Sequence, residues 1–224
     1  ECVDFLVKWL DDVAEDLPLT LNSGDYGKPT KLVAKSLKAR VLLYAASPLF
    51  NGNSDFYSNF KDDRGINLIS QEYDKEKWKK AMDAAQEAIT LAISQNYHLY
   101  KYEKSKKELS LFDQAVANAR YTMVDKWNSE LIWGYTGWNE DMNHEDAYQC
   151  LAAPRLKDGG IPYEGVAPSL AIVETFYTDK GLPIDADPDF KYSERYQVGK
   201  DHETANLNFN REPRYYAFIG YDRG

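Results

Sequence analysis

The run from Thr30 to Pro48 constrains this chain more than any other stretch. Thr30 has the hydroxyl that an N-cap uses to accept a first-turn N–H, and Pro48 cannot continue a helix. The spacing between them predicts a helix from about Thr30 to Ser47. Its first half carries Lys31, Lys35 and Lys38 as one exposed stripe, and its second half, Val41 to Ala46, is apolar on every side. A helix apolar all round must be enclosed by other elements. Ala34, Ser36, Ala39, Ala45 and Ala46 are small enough to let neighbouring helices come close. The expectation is a helical assembly with this segment as its buried spine, closed by a turn at Asn51-Gly52.

Other helices follow from the same period. Phe5, Leu6, Trp9, Leu10, Val13 and Leu17 recur at helical spacing from Cys2 to Leu17, and Pro18 ends the run. Trp78, Ala81, Met82, Ala85, Ile89, Ala92 and Ile93 define a third helix, Lys75 to Ser94, with Asp74 as N-cap. On these stripes Trp9 and Trp78 read as core. A fourth helix is expected from about Lys107 to Met123 and a fifth from Ser169 to Tyr177. Glu130 to Thr136 reads as a short strand or extended segment. Residues 137–168 show no period, and so long a loop inside a compact protein is usually functional. Tandem helix–turn–helix repeats fit only weakly, because Met82 and Ala85 stand where such a repeat places Gly and Tyr.

Composition removes several functions. The net charge of −9, without a basic cluster on any predicted face, excludes a nucleic-acid footprint and electrostatic docking to anionic lipid. No apolar run reaches membrane-spanning length. The two cysteines, Cys2 and Cys150, exclude a disulfide framework and a Cys-based zinc site. They leave either one long-range bridge or, as the simpler expectation, two separate buried thiols. His98, His144 and His202 lack metal-ligand spacing. Asp185, Asp187 and Asp189 begin like a calcium loop but lack its sixth-position Gly and twelfth-position Glu; they are a weak metal candidate at most. Asp141 to Asp146 fails the same test. No nucleophile elbow or phosphate-cradling Gly loop occurs, and no cofactor is expected. The chain opens inside an amphipathic pattern, so it reads as the interior of a longer protein.

Several segments resemble the SusD/RagB family, surface lipoproteins of Bacteroidetes that capture glycans. The match begins at Gly27 and is strongest from Leu37 through Ala39-Arg40, Leu43-Tyr44-Ala45-Ala46-Ser47-Pro48 and Asn51-Gly52. Lys28-Pro29 departs from the family's usual Arg-Ala entry. Further matches follow in order: Tyr73-Asp74 to Ala81 with Tyr97 to Tyr100, Asn128 to Trp133, Pro168 to Ile184, and Asn210-Arg211-Glu212-Pro213-Arg214-Tyr215-Tyr216. Family members are longer, so the resemblance implies an internal fragment lacking both ends.

What the resemblance implies is a mainly α fold: a tetratricopeptide-like paired-helix scaffold with an irregular loop-rich region and short strands. The scaffold is expected over 1–125 and a loop-rich binding region over 126–224. The implied function is non-catalytic capture of oligosaccharides or polysaccharides at the outer membrane, by a surface-exposed lipoprotein whose lipid anchor lies outside this fragment. The implied partner is a SusC-like TonB-dependent transporter. Two other readings stay open, a tetratricopeptide-like protein adaptor and a glycoside hydrolase. The 36 acidic residues offer many carboxylate pairs, but no motif selects one.

A sugar ring has apolar C–H faces and a rim of hydroxyls, so its binder needs flat aromatics and short polar groups. The segment 133–163 supplies both. Its candidates are Trp133, Tyr135, Trp138, Tyr148 and Tyr163, with Asn139, Asp141, Asn143, Gln149 and Arg155. Arg211 and Arg214, flanking Glu212-Pro213, are expected to tie the loop region to the helices through salt bridges, with ligand contact as the alternative role.

Overall fold

A computed structural model describes residues 2–134, 165–199 and 204–221. The fold is mainly helical, and among the described residues it contains no sheet, only isolated antiparallel bridges such as Lys61 with Asn67 and Thr178 with Arg211. No described helix is long and apolar enough to cross a membrane. The described chain divides into two compact units, one of residues 2–99 and 129–134, the other of residues 100–128, 165–199 and 204–221.

In the first unit α1 (Cys2–Asp16) and α4 (Glu76–Ser94) both pack on α2 (Lys31–Ala46), with the short α3 (Ser54–Tyr57) between α2 and α4 in sequence. Thr30 is the expected cap of α2, whereas α4 begins one residue later than expected, with Lys75 rather than Asp74 at its cap position. Thr30 Oγ1 accepts the Val33 N–H at 3.3 Å, and Asp74 Oδ1 accepts the Glu76 N–H at 2.9 Å. Asn96, with φ 63°, ends α4 in the left-handed conformation that Asn tolerates, and the Tyr97 N–H returns to the Ala92 carbonyl at 3.0 Å.

The packing faces differ from the expected stripes. α4 turns Ala81, Ala84 and Ala88 inward, while Trp78, Met82, Ile89 and Ile93 are exposed. α1 buries Ala14, and Phe5, Leu6 and Trp9 are exposed. Trp9 and Trp78, expected in the core, therefore lie outside it. The physical reason is distance of approach: small residues bring helix axes close, and the bulky stripes cannot occupy the same seam. α2 is inverted too. Its first half holds the buried Leu32, Val33 and Ala34, whereas Leu43 and Tyr44 in the supposed spine are 50% and 58% exposed.

The lysine stripe is also corrected. Lys35 and Lys38 point into the helix–helix seams, with side chains only 11% and 16% exposed. Lys35 Nζ lies 2.8 Å from Asp11 on α1 and 2.8 Å from Glu87 on α4. Lys38 Nζ reaches Asp11 at 2.8 Å and Glu87 at 3.6 Å. Two ammoniums and two carboxylates thus pin three helices together. Lys31 stays nearer the surface, pairing with Glu15 at 3.1 Å.

The Asn51-Gly52 turn has a definite task. The buried Asn51 amide accepts the Asp74 N–H at 2.9 Å and donates to the Asp74 carbonyl at 2.9 Å, with a second donation to the Ala46 carbonyl at 3.3 Å. The end of α2 is clamped to the start of α4 in this way. Gly52, at φ +80°, sits where an added Cβ would meet the Tyr73 backbone nitrogen at 2.4 Å.

The second unit contains α5 (Leu111–Val124), α6 (Leu170–Thr175) and α7 (Pro213–Phe218), with α5 packed on α7. Ser110 and Asp113 form a capping pair at the start of α5: the Ser110 hydroxyl accepts the Asp113 N–H at 3.0 Å and donates to its carboxylate at 2.7 Å. Val173, Ile184, Leu207 and Tyr215 make the core, with Phe176, Phe190 and Tyr216 against it.

Arg211 is fully buried at the centre of that core. Among the described residues it forms no salt bridge, contrary to expectation. Its guanidinium donates to the carbonyls of Leu207 (2.7 Å), Val173 (2.9 Å) and Phe176 (2.8 Å), with a longer contact to Tyr177 (3.4 Å). Val173 and Phe176 belong to the end of α6, whose last carbonyls have no helical partner. A cation at a helix C-terminus satisfies them and complements the dipole. The Tyr215 ring lies 4.3 Å from the guanidinium carbon. Burial lowers the Arg211 pKa and pushes the Tyr215 phenol up to about 12. Glu212 pairs with the exposed Arg214 at 2.7 Å instead, and accepts the Tyr177 N–H at 2.9 Å.

Cys2 is a free, exposed thiol, which corrects the expectation that it is buried; Cys150 lies outside the described residues.

Candidate functional site

Of the predicted ligand contacts, Trp133 is the one within the described residues. Tyr135, Trp138, Asn139, Asp141, Asn143, Tyr148, Gln149, Arg155 and Tyr163 lie outside them. Of the run expected as a short strand or extended segment, Glu130 is in a turn and 131–134 belong to no strand, while 135 and 136 lie outside the described residues. The His98 N–H donates to the Ser129 carbonyl at 3.0 Å, which fixes the segment beside the end of α4.

Trp133 is 51% exposed, yet its indole is not loose. Nε1–H donates to the Gly27 carbonyl at 2.8 Å. Gly27 has φ +95°, a conformation that favours glycine. Beside it Asp25 and Lys28 close the loop with a 2.6 Å ion pair, and the Asp25 N–H bonds back to the Asn22 carbonyl at 2.9 Å. The loop before α2 therefore presents a carbonyl that satisfies the only polar atom of the indole. An aromatic ring fixed by its edge, with about half its surface in water, has the form of a stacking platform. Tyr26, next to Gly27 in sequence, is 42% exposed. Gly27 contributes only its carbonyl, and a backbone group leaves no residue-type signal in a sequence.

The same unit has a groove of about 820 Å³ beside the exposed half of α2. Its walls are apolar, with Val41, Leu42, Tyr44, Phe50, Leu68 and Ile69. Charged groups, among them Arg40, Asp74 and Lys77, also line it. Such walls suit an apolar occupant better than a sugar with its rim of hydroxyls.

The weak metal candidate is occupied by a protein cation. Lys180 pairs with Asp189 and lies 3.7 Å from Asp187. Asp187 is buried and accepts the Asp189 N–H at 2.9 Å. Those bonds hold its carboxyl below the usual carboxylate range. Among the described residues no three His, Cys, Asp or Glu side chains converge as a metal site.

A profile of the SusD family matches residues 129–224. Among solved structures, BT4246 is 32% identical with a TM-score of 0.76; the alignment covers 96% of this chain and 40% of BT4246. A selenomethionine form of BT4246 aligns over the same share of this chain with a TM-score of 0.72. A SusD-like protein of Bacteroides fragilis, BF3747, is 20% identical with a TM-score of 0.57, covering 96% of this chain and 33% of that one; it shows the fold alone. The chain thus spans less than half the length of the solved structures it matches. No curated protein matches it.

Proposed function

Because this chain belongs to the SusD family, we propose that it takes part in capturing oligosaccharides or polysaccharides at the cell surface, without catalysis, for a SusC-like TonB-dependent transporter. The family is one of glycan-binding, nutrient-uptake proteins. The assignment to an outer-membrane lipoprotein and to a transporter partner extends that family role to the whole protein of which this chain is similar to a part.

The observation that carries the reading is the Trp133 indole held by the Gly27 carbonyl with about half its surface in water. We place the ligand contacts on Trp133 and, in the segment that follows it, on Tyr135, Trp138, Asn139, Asp141, Tyr148, Arg155 and Tyr163. Stacking of one sugar on one ring supplies on the order of 1 kcal/mol, so a useful affinity needs several such rings.

Native gels containing soluble polysaccharides test this directly. Retardation by at least one polysaccharide is expected, and Trp133→Ala and Trp138→Ala should each weaken it. Unchanged retardation in both variants would remove the site assignment. Release of reducing ends from a retarding polysaccharide would favour the hydrolase reading instead. The adaptor reading has the apolar groove beside α2 in its favour. It requires a peptide ligand whose binding survives Trp133→Ala and is lost in Tyr44→Asp.

A further inference from the structure

The second unit holds a cleft of about 480 Å³ with the mixed lining that a sugar needs. Phe112 and Val116 of α5 and Tyr216 of α7 supply the apolar walls; Asp113, Asp179 and Asn210 supply the polar groups. The volume is in the range of small-ligand sites and larger than a single pyranose. The two rings stand edge to face, with centroids 5.8 Å apart and planes at 66°. Tyr216 is held in this pose by its hydroxyl, which donates to the Asn208 carbonyl at 3.1 Å and accepts the Arg211 N–H at 3.3 Å. That phenol is therefore committed to the protein, and the ring alone is offered to the cleft.

The polar side is also prepared. Asn210 adopts φ 54°, the left-handed conformation that Asn tolerates as a single residue. It is kept there by the Asp179 N–H, which donates to the Asn210 carbonyl at 3.0 Å, and by the bridge between Thr178 and Arg211. Among the described residues the structure records no hydrogen bond to the Asn210 amide or the Asp179 carboxylate. Asp113 spends one oxygen on the Ser110 hydroxyl and is exposed.

We infer that this cleft is a neutral-saccharide subsite, separate in sequence from the Trp133 platform. The inference rests on the glycan-capture reading and narrows it to a ligand class. A carboxylate accepts hydroxyl donors, and an amide both donates and accepts, so Asp113, Asp179 and Asn210 match a row of sugar hydroxyls. Phe112 and Tyr216 match the apolar C–H faces. The charge sets the class. Two carboxylates and one guanidinium line the cleft, so the lining is net negative and disfavours an anionic sugar; the Arg211 N–H groups are committed to backbone carbonyls and are not offered to a bound anion.

The test uses malto-, manno- and xylo-oligosaccharides, with oligogalacturonides as the anionic probe. Hydrogen–deuterium exchange on the unaltered protein is expected to show protection of residues 111–116, 178–181 and 209–212 with at least one neutral set and none with oligogalacturonide. Phe112→Ala and the near-isosteric Asp179→Asn should each weaken that binding roughly tenfold, with thermal melts confirming the fold. Trp133→Ala should leave the protection of these three segments in place. If a neutral set binds, but without such protection and with both cleft variants at full affinity, the cleft inference falls and the glycan reading stands. If no saccharide binds at all, both fall. Protection by oligogalacturonide overturns the neutral assignment.

Discussion

Lys35 on α2 places its Nζ 2.8 Å from Glu87 on α4, and the same nitrogen lies 2.8 Å from Asp11 on α1. Three helices meet on one ammonium. Lys35→Met keeps most of the stem's packing and removes the charge, leaving Asp11 and Glu87 to Lys38 alone. Part-exposed ion pairs are individually weak, but this one is shared and its lysine is nearly buried. The expected loss is about 1–2 kcal/mol, read as a lower urea midpoint at unchanged slope. An unchanged midpoint would mean that Lys38 suffices.

The same network makes stability depend on pH. The hydrogen bond from Lys35 holds the Glu87 carboxyl below its ordinary pKa against a desolvation cost. Burial works against the Asp11 charge, but bonds from Lys35 and Lys38 leave its pKa lowered as well. A depressed folded pKa means that the unfolded chain binds more protons in the window between the two values, so stability rises with pH there. The contribution is complete above the ordinary carboxylate range and disappears as pH falls through the depressed folded values. Lys35 has the opposite sign: burial opposes its charge, yet both carboxylates leave its pKa raised. Its contribution is complete below the ordinary lysine range and is lost as pH rises through the folded value. Urea midpoints should therefore plateau between these ranges, and Glu87→Gln should flatten the acid limb.

Gly52 and Gly181 separate two kinds of glycine cost, and Asn51 next to Gly52 adds the cost of a lost clamp. Asn51→Ala removes both hydrogen bonds to the Asp74 backbone and leaves buried partners unmet, about 2–3 kcal/mol. Gly52→Ala adds a Cβ 2.4 Å from the Tyr73 nitrogen at φ +80°, so backbone must move; the expected cost is about 3 kcal/mol or more. Gly181 has φ +75° with open space around it, and Gly181→Ala should cost only about 1 kcal/mol. Thermal or urea melts of the three variants give the order; equal costs for the two glycines would show that the Tyr73 backbone yields freely.

The parts legible in the sequence are those whose cause is local. Thr30 and Ser169 mark helix starts because capping acts within one turn, and Asn51-Gly52 marks a turn because its backbone demands it. Which face of each helix packs inward was not legible. Bulky stripes and alanine seams both satisfy the helical period, and only the neighbouring helix decides between them. Lys35 reads as a surface residue until Asp11 and Glu87 are brought to it from two other helices. The site divides similarly. Trp133 announces itself by residue type, whereas Gly27 contributes a carbonyl. The cleft of Phe112, Asp179 and Asn210 is assembled from three segments, each of which looks ordinary alone.

Trp133→Phe separates the platform from its anchor. Phenylalanine keeps a flat face but has no N–H for the Gly27 carbonyl, which is left without its 2.8 Å partner. The loop of 20–29 and the segment around 133 should then exchange amide hydrogens faster, while the capture of a retarding polysaccharide weakens less than in Trp133→Ala. A difference of about tenfold between the two variants corresponds to about 1.4 kcal/mol, comparable to one stacking contact. Equal losses in both would show that the anchor, not the ring face, carries the binding.

Arg211 tests whether the second unit depends on charge or on geometry. Its guanidinium satisfies carbonyls at the end of α6 and the Leu207 carbonyl at once, from a position with no solvent access. Arg211→Lys retains the charge, but one ammonium cannot span carbonyls held apart by a planar fork. Arg211→Met removes the charge and its desolvation cost, but leaves those carbonyls without donors. Both should destabilise by about 3 kcal/mol or more, because each leaves buried acceptors unmet. Lysine should be no better than methionine, since it also buries an incompletely paired charge. Urea unfolding followed by near-UV circular dichroism, which reports the Tyr215 and Tyr216 environment, distinguishes the cases. Rescue by lysine would show that positive charge at the end of α6 matters more than the fork, and the carbonyl-capping account of this residue would then fail.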